Sequence, residues 1–317
     1  MTATVNRSDV LVELVEKYKR IEAETVKAQQ QKAVEIACTP VNSVIWKADR
    51  RMMAYPLFAP DKRNRIDVYK YTSPDGKWRI TVLPHPELGR AKVWDADVFT
   101  YFLSRAYEAY RKTEQIPPVI QTTAYQVLKH LGKSPENTGN ILWLRDAIRR
   151  LGGTYYQANL FDTFVEAGQS FNLLDYQFQK RARNGAMIID KIIVKFNPEL
   201  LACWMNDIRQ ILSLPNGVLE DCLKEQRSGL RKRLLLLIGT RLGNQPSLKI
   251  SLENLKGLCG YTRETKFFKG ALKKILPTLP WHIEFAKRTS GKGDNVIISQ
   301  LSAEVLLGES SVRISPR

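Results

Sequence analysis

Histidine, cysteine and acidic side chains are all in short supply here, and each shortage closes off a chemistry. There are three histidines, His85, His130 and His282. None stands in an HxH or HExxH spacing, so a metal-dependent nicking or protease centre has no visible ligand set. The four cysteines, Cys38, Cys203, Cys222 and Cys259, are scattered and none forms a CxxC pair. They read as reduced, mostly buried thiols of a cytoplasmic protein, without a zinc site. No apolar run approaches the roughly 18 residues of a membrane span. The opening MTATVNRSDV lacks the apolar core of a signal peptide. Phosphate loops are missing too. Gly132-Lys133-Ser134 has Val127 where the first glycine of such a loop belongs, and Gly291-Lys292-Gly293 is not followed by Ser or Thr. No tyrosine sits beside a metal-ligand cluster that would make it a nucleophile for strand transfer. The expectation is a protein that is not an enzyme and needs no cofactor and no metal.

The shortage of acids points the other way, toward a partner. The chain carries 49 Lys and Arg against 32 Asp and Glu, a formal charge of +17. Such an excess suits a polyanion, either nucleic acid or an anionic membrane surface. A length of 317 residues allows about two ordinary domains, and 44% hydrophobic residues can fill their cores.

The charge concentrates in Ser251 to Gln300. A serine and an acid open a short apolar helix, Leu252 to Leu258, ended by Gly260. A second helix follows, with Thr262 as candidate N-cap and Glu264 in its first turn. Phe268, Ala271, Leu272 and Ile275 recur at helical spacing and should face the core. Arg263, Lys266, Lys269, Gly270 and Lys273 fall on the opposite side, and Gly270 would let a neighbouring backbone approach. Two apolar runs, Trp281 to Phe285 and Val296 to Ile298, flank a basic tip with Lys287, Arg288 and Lys292. From Lys249 to Lys292 there are ten Lys or Arg against three acids. Helix, turn, helix and a hairpin with a cationic tip is the order of a winged helix-turn-helix. A solvated helix face is the blander explanation of such a charge run, and the basic tip is what argues against it.

The rest of the chain repeats that order. Residues 8 to 37 read as a helix that packs on the body or on a partner chain. MMAYPLF, residues 52 to 58, is apolar and broken by Pro56, which suits an edge strand or extended segment. Two alternating runs around Ser73-Pro74-Asp75-Gly76 form a hairpin. Residues 95 to 113 form an amphipathic helix with Asp95 as candidate N-cap. A second helix-turn-helix starts near Thr122, with helices over 123 to 131 and Ile141 to Leu151. The buried face of the latter is Ile141, Leu144, Ile148 and Leu151, leaving Trp143, Arg145, Arg149 and Arg150 on its surface. Strand-like residues 154 to 161 precede a long hairpin, Phe171 to Phe178 and Met187 to Phe196, whose tip carries Lys180, Arg181 and Arg183. Asn197-Pro198 opens a short helix, and Leu219 to Leu242 reads as one longer helix with a buried run, Leu234 to Ile238. The fold class expected is therefore α+β: two tandem winged helix-turn-helix domains, 46–196 and 197–303, after an N-terminal helical extension, 1–45, and before a flexible tail, 304–317.

These segments carry a resemblance. Met52 to Arg63, ILWLRDAIRRLGGTYYQ (Ile141 to Gln157), LLDYQF before a basic hairpin, EQRSGLRKRLLLLIG and KISLENLKGLCGYTRETKFFKGALKKI occur in the order found in the bacterial plasmid replication initiator protein A family. The chain resembles that family from about residue 46 to 300 and departs from it before residue 46. The resemblance implies a non-enzymatic initiator in monomer–dimer equilibrium. It would bind repeated sites in plasmid-origin double-stranded DNA and recruit the host replication initiator and replicative helicase, with no membrane partner.

Read as DNA contacts, Arg263 would read a guanine, while Lys266, Lys269 and Lys273 would hold phosphates. Asn140, Arg145 and Arg149 are the counterparts in the first domain, where the helix could instead form a dimer interface and Arg145 could pair with a neighbouring acid. The two wings would add salt-dependent phosphate contacts. A transcriptional repressor would use the same two domains. A nuclease or relaxase would need the ligand clusters that are missing, and a single-strand RNA binder would need exposed aromatics.

Overall fold

The computed structural model describes residues 7–161, 170–183, 186–213, 218–243, 245–287 and 294–300. Helix α1 (Arg7–Cys38) leads to a two-residue strand β1 (Ala48–Asp49) and a short helix α2 (Arg50–Ala54), followed by a hairpin of β2 (Tyr69–Thr72) and β3 (Arg79–Leu83). The MMAYPLF segment is thus helical at its start and extended only from Tyr55, against the expectation of a strand. The reason lies one residue upstream. The Asp49 carboxylate accepts from the Arg51 and Met52 amides at 2.8 and 3.1 Å, which caps the first turn. The Trp204 indole holds the same carboxylate from behind at 2.7 Å. Pro56 then disfavours helical geometry at Tyr55 and ends the element.

Beyond this point one order of elements occurs twice. The first copy is α3 (Asp95–Thr113), β4 (Val119–Thr122), α4 (Ala124–His130) and α5 (Thr138–Gly153). After β5 (Tyr155–Ala158) it is completed by β6 (Leu174–Arg183) and β7 (Ala186–Phe196). Between the copies lie α6 (Pro198–Asn206), β8 (Ile211–Leu212) and α7 (Val218–Lys224). The second copy is α8 (Gly229–Leu242), β9 (Ser247–Ser251), α9 (Leu252–Leu258), α10 (Thr265–Ile275), β10 (Trp281–Lys287) and β11 (Asp294–Gln300). In both, the last strand lies between the other two, as β4-β7-β6 and β9-β11-β10, with every pairing antiparallel. The chain is a mixed α+β fold. Strand β5 leaves its sequence neighbours and pairs with β3, Ile80 opposite Ala158.

Three local expectations need correction. The stretch Leu219 to Leu242 is two helices, because the Glu225 carboxylate accepts from the Arg227 and Ser228 amides and Ser228 caps α8. Thr262 caps nothing: α10 starts after Glu264, whose side chain makes no cap bond either. Asp95 is the first residue of α3 rather than its cap. Its carboxylate instead takes both bonds of the Arg150 guanidinium, at 2.7 and 2.8 Å. Arg150 is therefore buried, where the helical pattern had placed it on the surface.

Among its described side chains, helix α1 is buried against the body at its C-terminal end. Ala33 and Ala37 are buried against α3 and β4, whereas Ile21 and Val26 are exposed. Arg105 of α3, itself buried, donates to the carbonyls of Ile36, Ala37 and Thr39 at 2.9, 3.2 and 2.6 Å. The last carbonyls of a helix lack partners and carry the negative end of its dipole, so a cation there satisfies both.

The run Leu234 to Ile238 is buried on all sides, as befits a helix enclosed by α2, α7 and β9. Two cations beside it are also fully buried. Lys232 donates to Asp97 of α3 at 2.8 Å and to the Cys222 carbonyl at 2.5 Å. Arg233 donates to carbonyls alone, those of Leu258 at 2.9 and 3.1 Å and of Met53 at 2.7 Å.

Candidate nucleic-acid interface

Ser251 accepts from the Asn254 amide at 3.2 Å and so starts α9. Gly260, at φ +69°, turns the chain into the approach to α10. Burying Phe268 and Leu272 contributes on the order of 2–3 kcal/mol each and fixes which way α10 faces. On the far side Lys266, Gly270, Lys273 and Lys274 are exposed, with Arg263 exposed in the turn before. A Cβ on Gly270 would meet nothing, so the glycine leaves that face flat. Lys269 is half-buried and ion-paired to Asp294 of β11, while Lys266 pairs with Glu264 at 2.9 Å in the open. An exposed pair of this kind is worth little, so Lys266 is free to change partners. Arg263 stacks on Phe267 at 4.8 Å, and Lys266 lies 5.0 Å from the same ring. Phe267 is 44% exposed. It escaped the sequence reading because it falls one position before a core phenylalanine.

The corresponding face of α5 is less free. Asn137 caps this helix, and the Asn140 amide donates to the Ser134 carbonyl at 2.9 Å, closing the turn. Arg145 pairs with Asp146 at 3.0 Å and Arg149 with Glu87 at 3.1 Å. The three residues share a helix, yet each already has a local partner.

Lys180 and Arg181 sit within strand β6 rather than in a loop, paired in register with Ile189 and Ile188. Both are exposed, and Arg181 reaches Asp190 at 3.3 Å. Arg183 closes the strand opposite Ala186, and its side chain lies outside the described residues. In the second hairpin Lys287 is the last residue of β10 and exposed, while Arg288 and Lys292 lie outside the described residues.

Sequence patterning missed a further set of cations, on the loop Pro60 to Arg65. The loop is strapped to residues 90–93. Ala59 donates to the Ala91 carbonyl and accepts from Val93, and the Arg65 carbonyl accepts from Arg90. Lys92 holds it from beneath, donating to the Lys62 carbonyl at 2.7 Å and the Asn64 side chain at 2.8 Å. Two glycines let it sit this close. A Cβ on Gly229 would fall 1.8 Å from the Pro60 carbonyl oxygen. One on Gly89, at φ +75°, would fall 2.7 Å from the Arg65 nitrogen. A cleft of about 660 Å³ beside the loop is lined by Lys62, Arg63, Arg65, Arg227 and Arg263. A loop has no periodicity to betray its facing side chains, and the only signal was the composition of APDKRNR itself.

Gly229→Ala should therefore destabilise. Alanine is the better helix former by about 1 kcal/mol, but forcing the Pro60 backbone aside costs about 1–3 kcal/mol. A urea midpoint at or above the wild-type value would show that the loop moves aside freely.

Among the described residues no three His, Cys, Asp or Glu side chains gather where they could hold a metal, and no helix is long and apolar enough to cross a membrane. What gathers is positive charge.

The described fold is similar to a crystal structure of domain 2 and domain 3 of RctB, with a TM-score of 0.55 at 16% identity, covering 79% of this chain and 98% of that one. A second structure, of RctB domains 2-3, gives a TM-score of 0.49 at 15% identity over 80% and 97% of the two chains. In sequence the chain is 28% identical over 232 residues to a "Putative replication protein" of Wigglesworthia glossinidia brevipalpis, covering 71% of this chain and 78% of that protein. The profile of the family described as Replication initiator protein A matches residues 47–280. The chain belongs to the replication initiator protein A family.

Proposed function

We propose that the protein is a plasmid replication initiator that binds repeated sites in origin double-stranded DNA through two winged helix-turn-helix units, 46–196 and 197–303. In this reading α5 and α10 are the recognition helices and the hairpins β6–β7 and β10–β11 are the wings. The observation that carries it is the exposed, one-signed face of α10 with Arg263 at its approach, opposite the buried Phe268 and Leu272. A helix so mounted can enter a major groove with its N-terminal half against base edges. Arg263 reads a base, and Lys266, Lys269 and Lys273 hold phosphates, Lys269 after exchanging Asp294 for a phosphate oxygen. In α5 the same tasks fall to Asn140, Arg145 and Arg149, at the cost of their present partners. Lys180, Arg181, Arg183, Lys287, Arg288 and Lys292 add backbone contacts from the wings. The protein is not an enzyme and uses no cofactor. It works in the cytoplasm, on the plasmid, moves between dimer and origin-bound monomer, and recruits the host initiator and replicative helicase.

Fluorescence anisotropy across a salt series, on direct-repeat duplexes from the flanks of the coding region and scrambled controls, tests the reading. Preferential, salt-sensitive binding to the repeats is expected. Arg263→Ala should cost about 1–3 kcal/mol of discrimination between repeat and scrambled DNA. Equal weakening on every duplex would show that Arg263 holds a phosphate instead.

A further inference from the structure

The cleft beside the Pro60 to Arg65 loop has a neighbour. A second cavity of about 460 Å³ is lined by Lys62, Lys92, Lys133, Arg150, Asn140 and Trp143, and shares Lys62 and Trp94 with the first. Together they form one trough. It runs from the first turn of α5, at Asn140, past the loop to Arg263 ahead of α10. The acids along it are Asp61 and Asp95. Both are spent: Asp61 on Arg65 at 2.9 Å and Asp95 on Arg150 at 2.7 Å. Lys62, Arg63, Lys92, Lys133, Arg227 and Arg263 are in no ion pair among the described residues. Lys133 instead donates to Gln226 at 3.0 Å and lies 4.6 Å from the Trp143 ring. Burial lowers the Lys92 and Lys133 ammonium pKa values; Arg150 adds to it at Lys92, against Asp95, Asp61 and Asp146, and at Lys133 Asp97 opposes it while Lys232 adds to it.

We propose that this trough grips the phosphates of the duplex strand passing between the two recognition helices, and thereby fixes the spacing of the two base sequences they read. The inference rests on the assignment of α5 and α10 as recognition helices. Three observations favour a duplex backbone as the occupant. The trough opens to solvent as two adjoining cavities, its unpaired charge is positive, and it reaches from Asn140 in the first turn of α5 to Arg263 just ahead of α10. Between two adjacent major-groove contacts the intervening surface of DNA is sugar and phosphate, which position a protein without specifying sequence. The loop is rigid enough for the task, since its ends are strapped by backbone bonds and its middle by Lys92.

The test is the triple variant Lys62→Ala/Arg63→Ala/Arg227→Ala in the full chain. All three side chains are exposed, so a wild-type urea midpoint is expected and is measured as a control. On duplexes carrying two repeats, the variant should bind about 100-fold more weakly at physiological salt. The slope of log affinity against log salt should be shallower by about 2–3, because each lost phosphate contact removes about 0.9. Its preference for repeat over scrambled DNA should stay within about twofold of wild type. Inserting about five base pairs between the repeats turns one site to the opposite side of the helix. That insertion should reduce wild-type binding to the level of a single repeat.

Unchanged affinity and slope in the triple variant would overturn the trough. So would a loss of repeat preference with the slope intact, which would make these side chains base readers. Absence of any repeat preference in the wild type would instead refute the recognition-helix assignment, and the slope comparison would still decide the trough on non-specific duplex.

Discussion

Replacing Arg233 with methionine should lower the unfolding free energy by about 3 kcal/mol, the largest loss expected from a single substitution away from the cationic surface. The side chain is fully buried and faces carbonyl oxygens rather than a carboxylate. Those oxygens are special. Leu258 is the last residue of α9, and Met53 lies in the last turn of α2, so Arg233 closes the negative ends of two helices at once. Burial pushes its guanidinium down to about 10, which leaves it charged at neutral pH. Two effects compete in the variant. Removing an uncompensated buried cation is favourable, but it strands carbonyls in a core that excludes water, at about 1–3 kcal/mol each. With Leu258 accepting two bonds and Met53 a third, the stranded groups outweigh the relief. Arg233→Lys should recover about half of the loss, since an ammonium reaches one carbonyl where the fork reaches several. Urea unfolding of the three proteins measures this directly. A methionine variant as stable as wild type would mean that water reaches those carbonyls.

Asp97→Asn should cost about 3 kcal/mol, nearly as much, and by a different route. Asp97 on α3 and Lys232 on α8 form a buried pair that ties the two repeated units together. With Asn opposite, Lys232 keeps only the carbonyls of Cys222 and Glu225. The reciprocal change, Lys232→Met, should behave differently with pH. Burial already raises the Asp97 carboxyl from 3.8 to about 6, even with Lys232 and its hydrogen bond acting to lower it. Between those values the folded state binds the proton more tightly than the unfolded chain. The contribution of this group to stability is therefore fully present below about pH 4 and is lost as pH rises through about 6. Without Lys232 the carboxyl should climb further, so it can shed its charge where the ammonium cannot. The penalty of Lys232→Met should shrink between about pH 8 and pH 5, while that of Asp97→Asn should grow by about 1 kcal/mol, because only the wild type gains by taking up the proton. Equal pH profiles for the two variants would show that the carboxylate stays ionised throughout. A double-mutant cycle then isolates the coupling between them.

Most of the local signals held, although Thr262 and Asp95 are not the caps their positions suggested. The 3-4 spacing of Phe268 and Leu272, the serine cap of α9, the glycines at 76 and 260, and the Asn197 cap of α6 each act within a few residues, and each element stands where its pattern put it. Periodicity alone misjudged three things. In MMAYPLF an apolar run outweighed a single upstream cap, Asp49. In Leu219 to Leu242 the apolar content hid a Glu-x-Arg-Ser break. Arg150 sits at a surface-like position but answers to Asp95, 55 residues away in the chain. The candidate interface divides the same way. The α10 face could be read off as a helical stripe, whereas the loop cations could not, because what brings Lys62 toward Lys133 and Arg227 is tertiary packing through Gly229 and the strap at 90–93.

The clasp of Arg105 on the end of α1 has one more consequence. A helix of 32 residues is about 48 Å long, and its buried alanines both fall in the last two turns. It is built as a lever, with a short arm gripped by α3 and a long arm whose described side chains, Glu16 to Lys32, face mostly solvent. A tilt of about 10° at the clasp would carry the far end through about 7 Å. Any strain that reaches α3 from the sheet it packs against would therefore reappear, magnified, far from where it began.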